Sequence, residues 1–130
     1  MDLSVPTSLG DALDRLTILC IKQRRITDAQ KRVNVGREAE AIRGAWMGAG
    51  LPVPEEVPEF AALVAVNEAL WDIEDALRLM EAQGRFGAEF VVLARNVYIT
   101  NDQRAAWKRA VNQRFGSTLV EEKQHPHYQS

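Results

Sequence analysis

Asn67, Trp71, Glu74, Arg78 and Glu81 follow one another at intervals of four, three, four and three residues. On a helix advancing about 100° per residue they share one side. Phe60, Leu63, Val64 and Leu70 fall on the same arc, all within about 60° of Asn67, so the polar groups stand in the middle of an apolar face. Glu74 precedes Arg78 by four residues, the favourable order for an intrahelical ion pair. Burying such charges is costly unless each finds partners, and Arg95, Lys22 and Arg25 are the candidate donors. Two readings stay open: a buried salt-bridge network that fixes helix packing, or a small polar pocket lined by Asn67, Trp71, Glu74, Arg78, Glu81 and Arg95.

The pocket is tested against two helical enzyme classes. Nucleotide pyrophosphohydrolases hold Mg²⁺ with paired E-x-x-E and E-x-x-D motifs; here Glu74 and Glu81 are seven apart with a cation between them. A chorismate-mutase-like site needs arginines converging on a dicarboxylate, and Arg15, Arg25, Arg78 and Arg95 have only a loose spacing for that. No Gly-rich phosphate loop, nucleophile elbow or zinc-peptidase helix is present. His125 and His127 offer two imidazoles where zinc wants three or four ligands, so no metal and no cofactor is expected, and the catalytic residues stay unassigned.

The elements that would carry these residues are helical. Ser8 and Asp11 have capping-box spacing after Pro6, which starts a helix at about Leu9. Its main stripe is Leu9, Ala12, Leu16, Leu19, Gln23 and Ile26. Asp14, Ile18, Ile21 and Arg25 lie on the other side, so the helix needs cover on two faces. Asn34 and Gly36 mark a turn, and Arg37 to Met47 forms a helix with Ala39, Ile42 and Trp46 inward. Residues 48–58 hold three of the five prolines and form an internal loop. The organising helix runs from Phe60 to Glu81, and Gly84 and Gly87 close it.

Ala88 to Thr100, apolar on two sides, is the expected central helix. Thr100 or Asn101 caps a last helix with Trp107, Val111 and Phe115 inward, stopped by Gly116, while Arg104, Lys108, Arg109 and Arg114 form a solvated basic face. The fold class is therefore all-α: one domain over 1–130, a bundle of about five helices with a proline-rich loop and an extended tail over 117–130.

Composition narrows the function classes. The 130 residues carry 16 Lys and Arg against 18 Asp and Glu, a net charge of -2, too weak a field to attract nucleic acid or an anionic membrane by itself. No apolar run approaches the length of a membrane span, and the acidic start MDLSVPTSLGD lacks the basic region of a signal peptide. A cytoplasmic location is expected. The single Cys20 sits in an apolar run and is read as a buried, inert thiol.

Ile18 and Ile21 are covered either by another helix of the chain or by a second copy. In an antiparallel pairing of two first helices, Asp14 of one would face Arg25 of the other, so Asp14, Ile18, Ile21 and Arg25 are the candidate interface of a homodimer.

Longer motifs carry a resemblance. S-x-G-x-x-x-D-x-L-T-I-L-x-I-K at Ser8 to Lys22, K-x-x-N-V at Lys31 to Val35 and N-x-x-L-W-x-I-E-D-x-L-R-x-x-E at Asn67 to Glu81 are followed by A-R-x-V-Y-x-x-N-D-x-R-A-x-x-K-R at Ala94 to Arg109 and G-S-x-x-x-E-E-K at Gly116 to Lys123. Together these resemble an uncharacterised bacterial domain-of-unknown-function family of small helical proteins, often encoded beside genes for cell-surface polysaccharide synthesis. The resemblance implies an all-helical bundle and a link to surface-polysaccharide assembly; no catalytic residue carries over. His125 departs from the aromatic residue associated with its position. The expected function is an accessory or protein-interaction module with a protein partner. The alternative is a small ligand-binding domain or enzyme using the Glu/Arg pocket.

Overall fold

The computed structural model describes residues 1–128; positions 129 and 130 of the expected tail lie outside the described residues. Four α-helices and no strand are found among them: α1 (Leu9–Arg25), α2 (Ala29–Gly48), α3 (Glu59–Ala82) and α4 (Ala88–Phe115), with a short 3-10 turn at Pro54–Glu56. The all-α class stands, with four helices in place of five.

The difference has two causes. Asp28 caps α2 by accepting the Lys31 N–H at 2.9 Å, so that helix begins well before Arg37 and runs through Asn34 and Gly36. Nothing between Ala88 and Phe115 breaks the chain, since neither glycine nor proline occurs there. Thr100 and Asn101 resemble a cap but simply continue α4.

Other signals act as their chemistry dictates. Ser8 accepts the Asp11 N–H at 3.0 Å and starts α1 at Leu9, and Lys22, Arg24 and Arg25 sit at the negative end of its dipole. Gly116 takes φ +65° and ends α4, with the Ser117 N–H donating to the Asn112 carbonyl at 2.9 Å. Residues 48–58 fold under the bundle: the Trp46 indole N–H donates to the Pro52 carbonyl at 2.7 Å, and its ring stands edge-on to Phe115 at 5.8 Å.

The central helix is α1 rather than the first half of α4. It packs against α2, α3 and α4 alike, and Leu13, Leu16, Thr17, Leu19 and Ile21 are buried along its length. Leu13 joins Trp46, Val57, Leu63, Val66 and Val111 in one core. Leu16 and Leu19 meet Val35 and Ala39 of α2 in a second. Gly10 permits the closest approach: a Cβ there would lie 2.3 Å from the Lys108 carbonyl oxygen, and its N–H donates to the Asn112 side chain at 2.7 Å.

α1 ends where Arg25 reaches Asp72 on α3 at 2.6 Å. Beyond that level α3 continues to Ala82 and α4 returns from Ala88. This leaves a two-helix arm about 15 Å long, taking about ten residues of each helix. On the arm Met80 is buried, whereas Leu79, Phe86, Val91 and Val92 are 51–58% exposed.

Candidate functional site

The buried face of α3 centres on Leu63, Val66 and Leu70, with Glu59 and Met80 on the same side. It is rotated about 60° from an arc centred on Asn67. That rotation, with the end of α1 at Arg25, decides the fate of the polar residues. Asn67 is buried and Trp71 half-buried, whereas Glu74, Arg78, Glu81 and Arg95 are exposed. The expected buried Glu74, Arg78, Glu81 and Arg95 network is corrected by that exposure, because the last three stand on the arm, past the reach of α1. Arg15 turns to Glu38 on α2 and Arg25 to Asp72 on α3, so the arginines of the chorismate-mutase comparison do not converge.

The buried charge lies elsewhere. Asp14, 3% exposed, receives the Arg104 Nε–H at 2.9 Å and the Nη2–H at 2.5 Å. The Asn67 amide donates to Asp14 at 2.9 Å and to the Thr17 hydroxyl at 3.0 Å, and that hydroxyl donates to the Asp14 carbonyl at 2.6 Å. Three helices are tied through one carboxylate. The hydrogen bonds from Arg104 to Asp14 raise the guanidinium pKa above its ordinary value.

Asp14 is thus spent inside the chain, and so is Ile21, 1% exposed. Arg25 holds Asp72 and lies 5.6 Å over the Trp71 ring. Asp14 and Ile21 of the expected dimer face are corrected on those grounds, since α3 and α4 cover them and Asp72 pairs Arg25, while Ile18 stays half-buried along the open cleft.

The basic face of α4 is corrected at Arg104 and Lys108, whereas Arg109 and Arg114 are exposed as expected. Arg104, Lys108, Val111 and Phe115 recur at intervals of four, three and four, so the cations share the buried side. Lys108 joins Asp11 at 2.8 Å and also Glu121 of the tail. Arg114 clasps Glu59, 5% exposed, at 2.9 Å. That spacing was the signal by which sequence reasoning could have found Arg104. Trp107, by contrast, is 40% exposed and not inward.

Beside the Asp14 network a cleft of about 330 Å³ opens between three helices. α1 supplies Ile18, Ile21 and Lys22; α3 supplies Asn67, Leu70, Trp71 and Glu74; α4 supplies Asn101 and Arg104. Asn67, Trp71 and Glu74 of the expected pocket therefore do share a cleft, with Lys22 and Arg104 as its cations in place of Arg78 and Arg95.

The tail folds back along α4, with Tyr128 edge-on to Tyr98 at 5.0 Å and hydrogen-bonded to Asp102. A second hollow of about 560 Å³ between tail and helix includes His125 and His127. No group of three or more His, Cys, Asp or Glu side chains among the described residues could hold a metal ion. Cys20 is half-buried, and burial pushes its thiol pKa up. No helix among the described residues is long and apolar enough to cross a membrane.

Comparison with protein-family models, curated proteins and solved structures finds no match to this chain.

Proposed function

We propose that the protein is a helical interaction module that docks a partner protein through the arm formed by α3 and α4. The observation that carries this reading is the exposure of Leu79, Phe86, Val91 and Val92 on that arm. Exposed apolar side chains on a projecting element that also carries the exposed charges Glu81, Arg85, Glu89 and Arg95 are the ordinary composition of a helical docking surface. The partner that fits is an amphipathic helix or helical hairpin laying its own apolar stripe along the arm. The motif resemblance extends the proposal to a component of surface-polysaccharide assembly in the cytoplasm.

The test is a photo-crosslinking amino acid placed at Val92 on the arm, or at Gln113 on the exposed side of the body, in native host cells. A discrete adduct from position 92 and none from 113 is expected; an adduct of two copies of this chain would identify the partner as itself. Equal labelling from both positions, or none from 92, would refute the docking role.

A further inference from the structure

The cleft beside Asp14 has the composition of a ligand site, and the exposed apolar residues of the arm play no part in it. Arg104 is the reason to look there. Its bidentate pairing with Asp14 occupies Nε and one hydrogen of Nη2, and a guanidinium carries five N–H donors. Three donors are left, on a side chain that is 29% exposed and lines the cleft. A buried carboxylate that holds an arginine by its back edge fixes the direction of its remaining donors before any ligand arrives, which lowers the ordering cost of binding.

Lys22 and Glu74 line the same cleft, and neither makes an ion pair among the described residues. The cleft therefore holds two cations and one carboxylate. A simple anion would meet Arg104 and Lys22 but be repelled by Glu74, and a simple amine would meet the opposite. A molecule carrying both charges satisfies all three. Its body would rest on Leu70 and the Trp71 ring, which line the cleft.

We propose that this cleft binds a small zwitterion, a free α-amino acid with an apolar side chain. Its carboxylate lies toward Arg104 and Lys22, its ammonium toward Glu74, and its side chain against Trp71 and Leu70. Asn101, at the rim, supplies a further amide for either charged group.

Titration of the isotopically labelled full chain with L-phenylalanine, followed at the Trp71 indole and the Asn67 and Asn101 side-chain amides, tests this. Two half-ligands are run beside it: 3-phenylpropanoate, which lacks the ammonium, and 2-phenylethylamine, which lacks the carboxylate. L-phenylalanine should shift the Trp71 indole with a Kd of about 1 mM or tighter, and each half-ligand should bind about tenfold more weakly. Lys22→Met should weaken L-phenylalanine and 3-phenylpropanoate by about fivefold while tightening 2-phenylethylamine, which loses a repelling cation. Glu74→Gln should do the reverse with the half-ligands. Neither side chain makes a hydrogen bond or ion pair among the described residues, so the variants fold. No Trp71 shift at about 10 mM L-phenylalanine, equal affinity for 3-phenylpropanoate, or binding indifferent to both substitutions would overturn the proposal.

Discussion

Asp14 and Arg104 lie 90 residues apart in the chain and meet in the core as a two-pronged ion pair, 2.9 Å at Nε and 2.5 Å at Nη2. Because Asn67 binds the same carboxylate, this contact sets α1, α3 and α4 in one register. Removing the acid strands a guanidinium that is mostly buried. Asp14→Ala is expected to cost about 3 kcal/mol in chemical denaturation, and Glu74→Ala, at an exposed position, less than about 0.5 kcal/mol. Similar losses for the two would contradict this assignment of the buried charge.

Two glycines in helices should respond oppositely to alanine. At Gly10 a methyl group would collide with backbone, the Lys108 carbonyl at 2.3 Å, and α1 would be forced off α4. A loss of about 2 kcal/mol or more is expected. At Gly44 nothing lies within 4 Å, so alanine should stabilise α2 by about 0.5–1 kcal/mol through its helix propensity. Thermal unfolding of the two variants decides it; a gain at Gly10 would mean that the close approach of α1 and α4 is absent.

The tail is held by charge. Burial raises the Asp11 pKa, but hydrogen bonds from Lys108 and Ser8 outweigh it and leave the carboxyl below its ordinary 3.8. The hydrogen bond from Lys108 likewise holds Glu121 below 4.5. A carboxyl whose folded value is depressed contributes stability that is present above its ordinary value and lost as pH falls through the lower one. Carbon-13 titration of the native protein should therefore give midpoints under 3.8 for Asp11 and under 4.5 for Glu121, with the tail contact weakening below pH 4.5. Lys108→Met should raise both midpoints. Unchanged midpoints in that variant would show that the lysine does not bridge helix and tail.

The three tryptophans should separate in fluorescence. Trp46 is buried with its N–H bonded to Pro52, and Trp107 is 40% exposed. Iodide should quench a fraction of the emission that disappears in Trp107→Phe, leaving a bluer spectrum. A redder spectrum after that substitution would place Trp107 inside.

Local signals were legible where one side chain decides the outcome. Ser8 starts α1 by its own hydroxyl, Gly116 stops α4 by its own backbone, and the prolines of 48–58 exclude a continuous helix. What was hidden depends on relative helix length. Arg78 and Glu81 share an arc with Leu63 and Leu70, and periodicity alone treats every turn of that arc as equally covered. Only the end of α1 at Arg25 reveals that the last turns of α3 meet no third helix. Arg104 was misread for the converse reason: a cation among cations looks solvated until its spacing to Val111 is set beside its own.

The docking role of the arm is tested most directly by the size of the protein in extract from its native host. Gel filtration should place the wild-type chain in an assembly well above 14.6 kDa. Val92→Asp, which alters an exposed residue without touching the core, should release it as the free chain with its unfolding midpoint unchanged. Elution of wild type and variant at the same volume, whether large or small, would contradict the account.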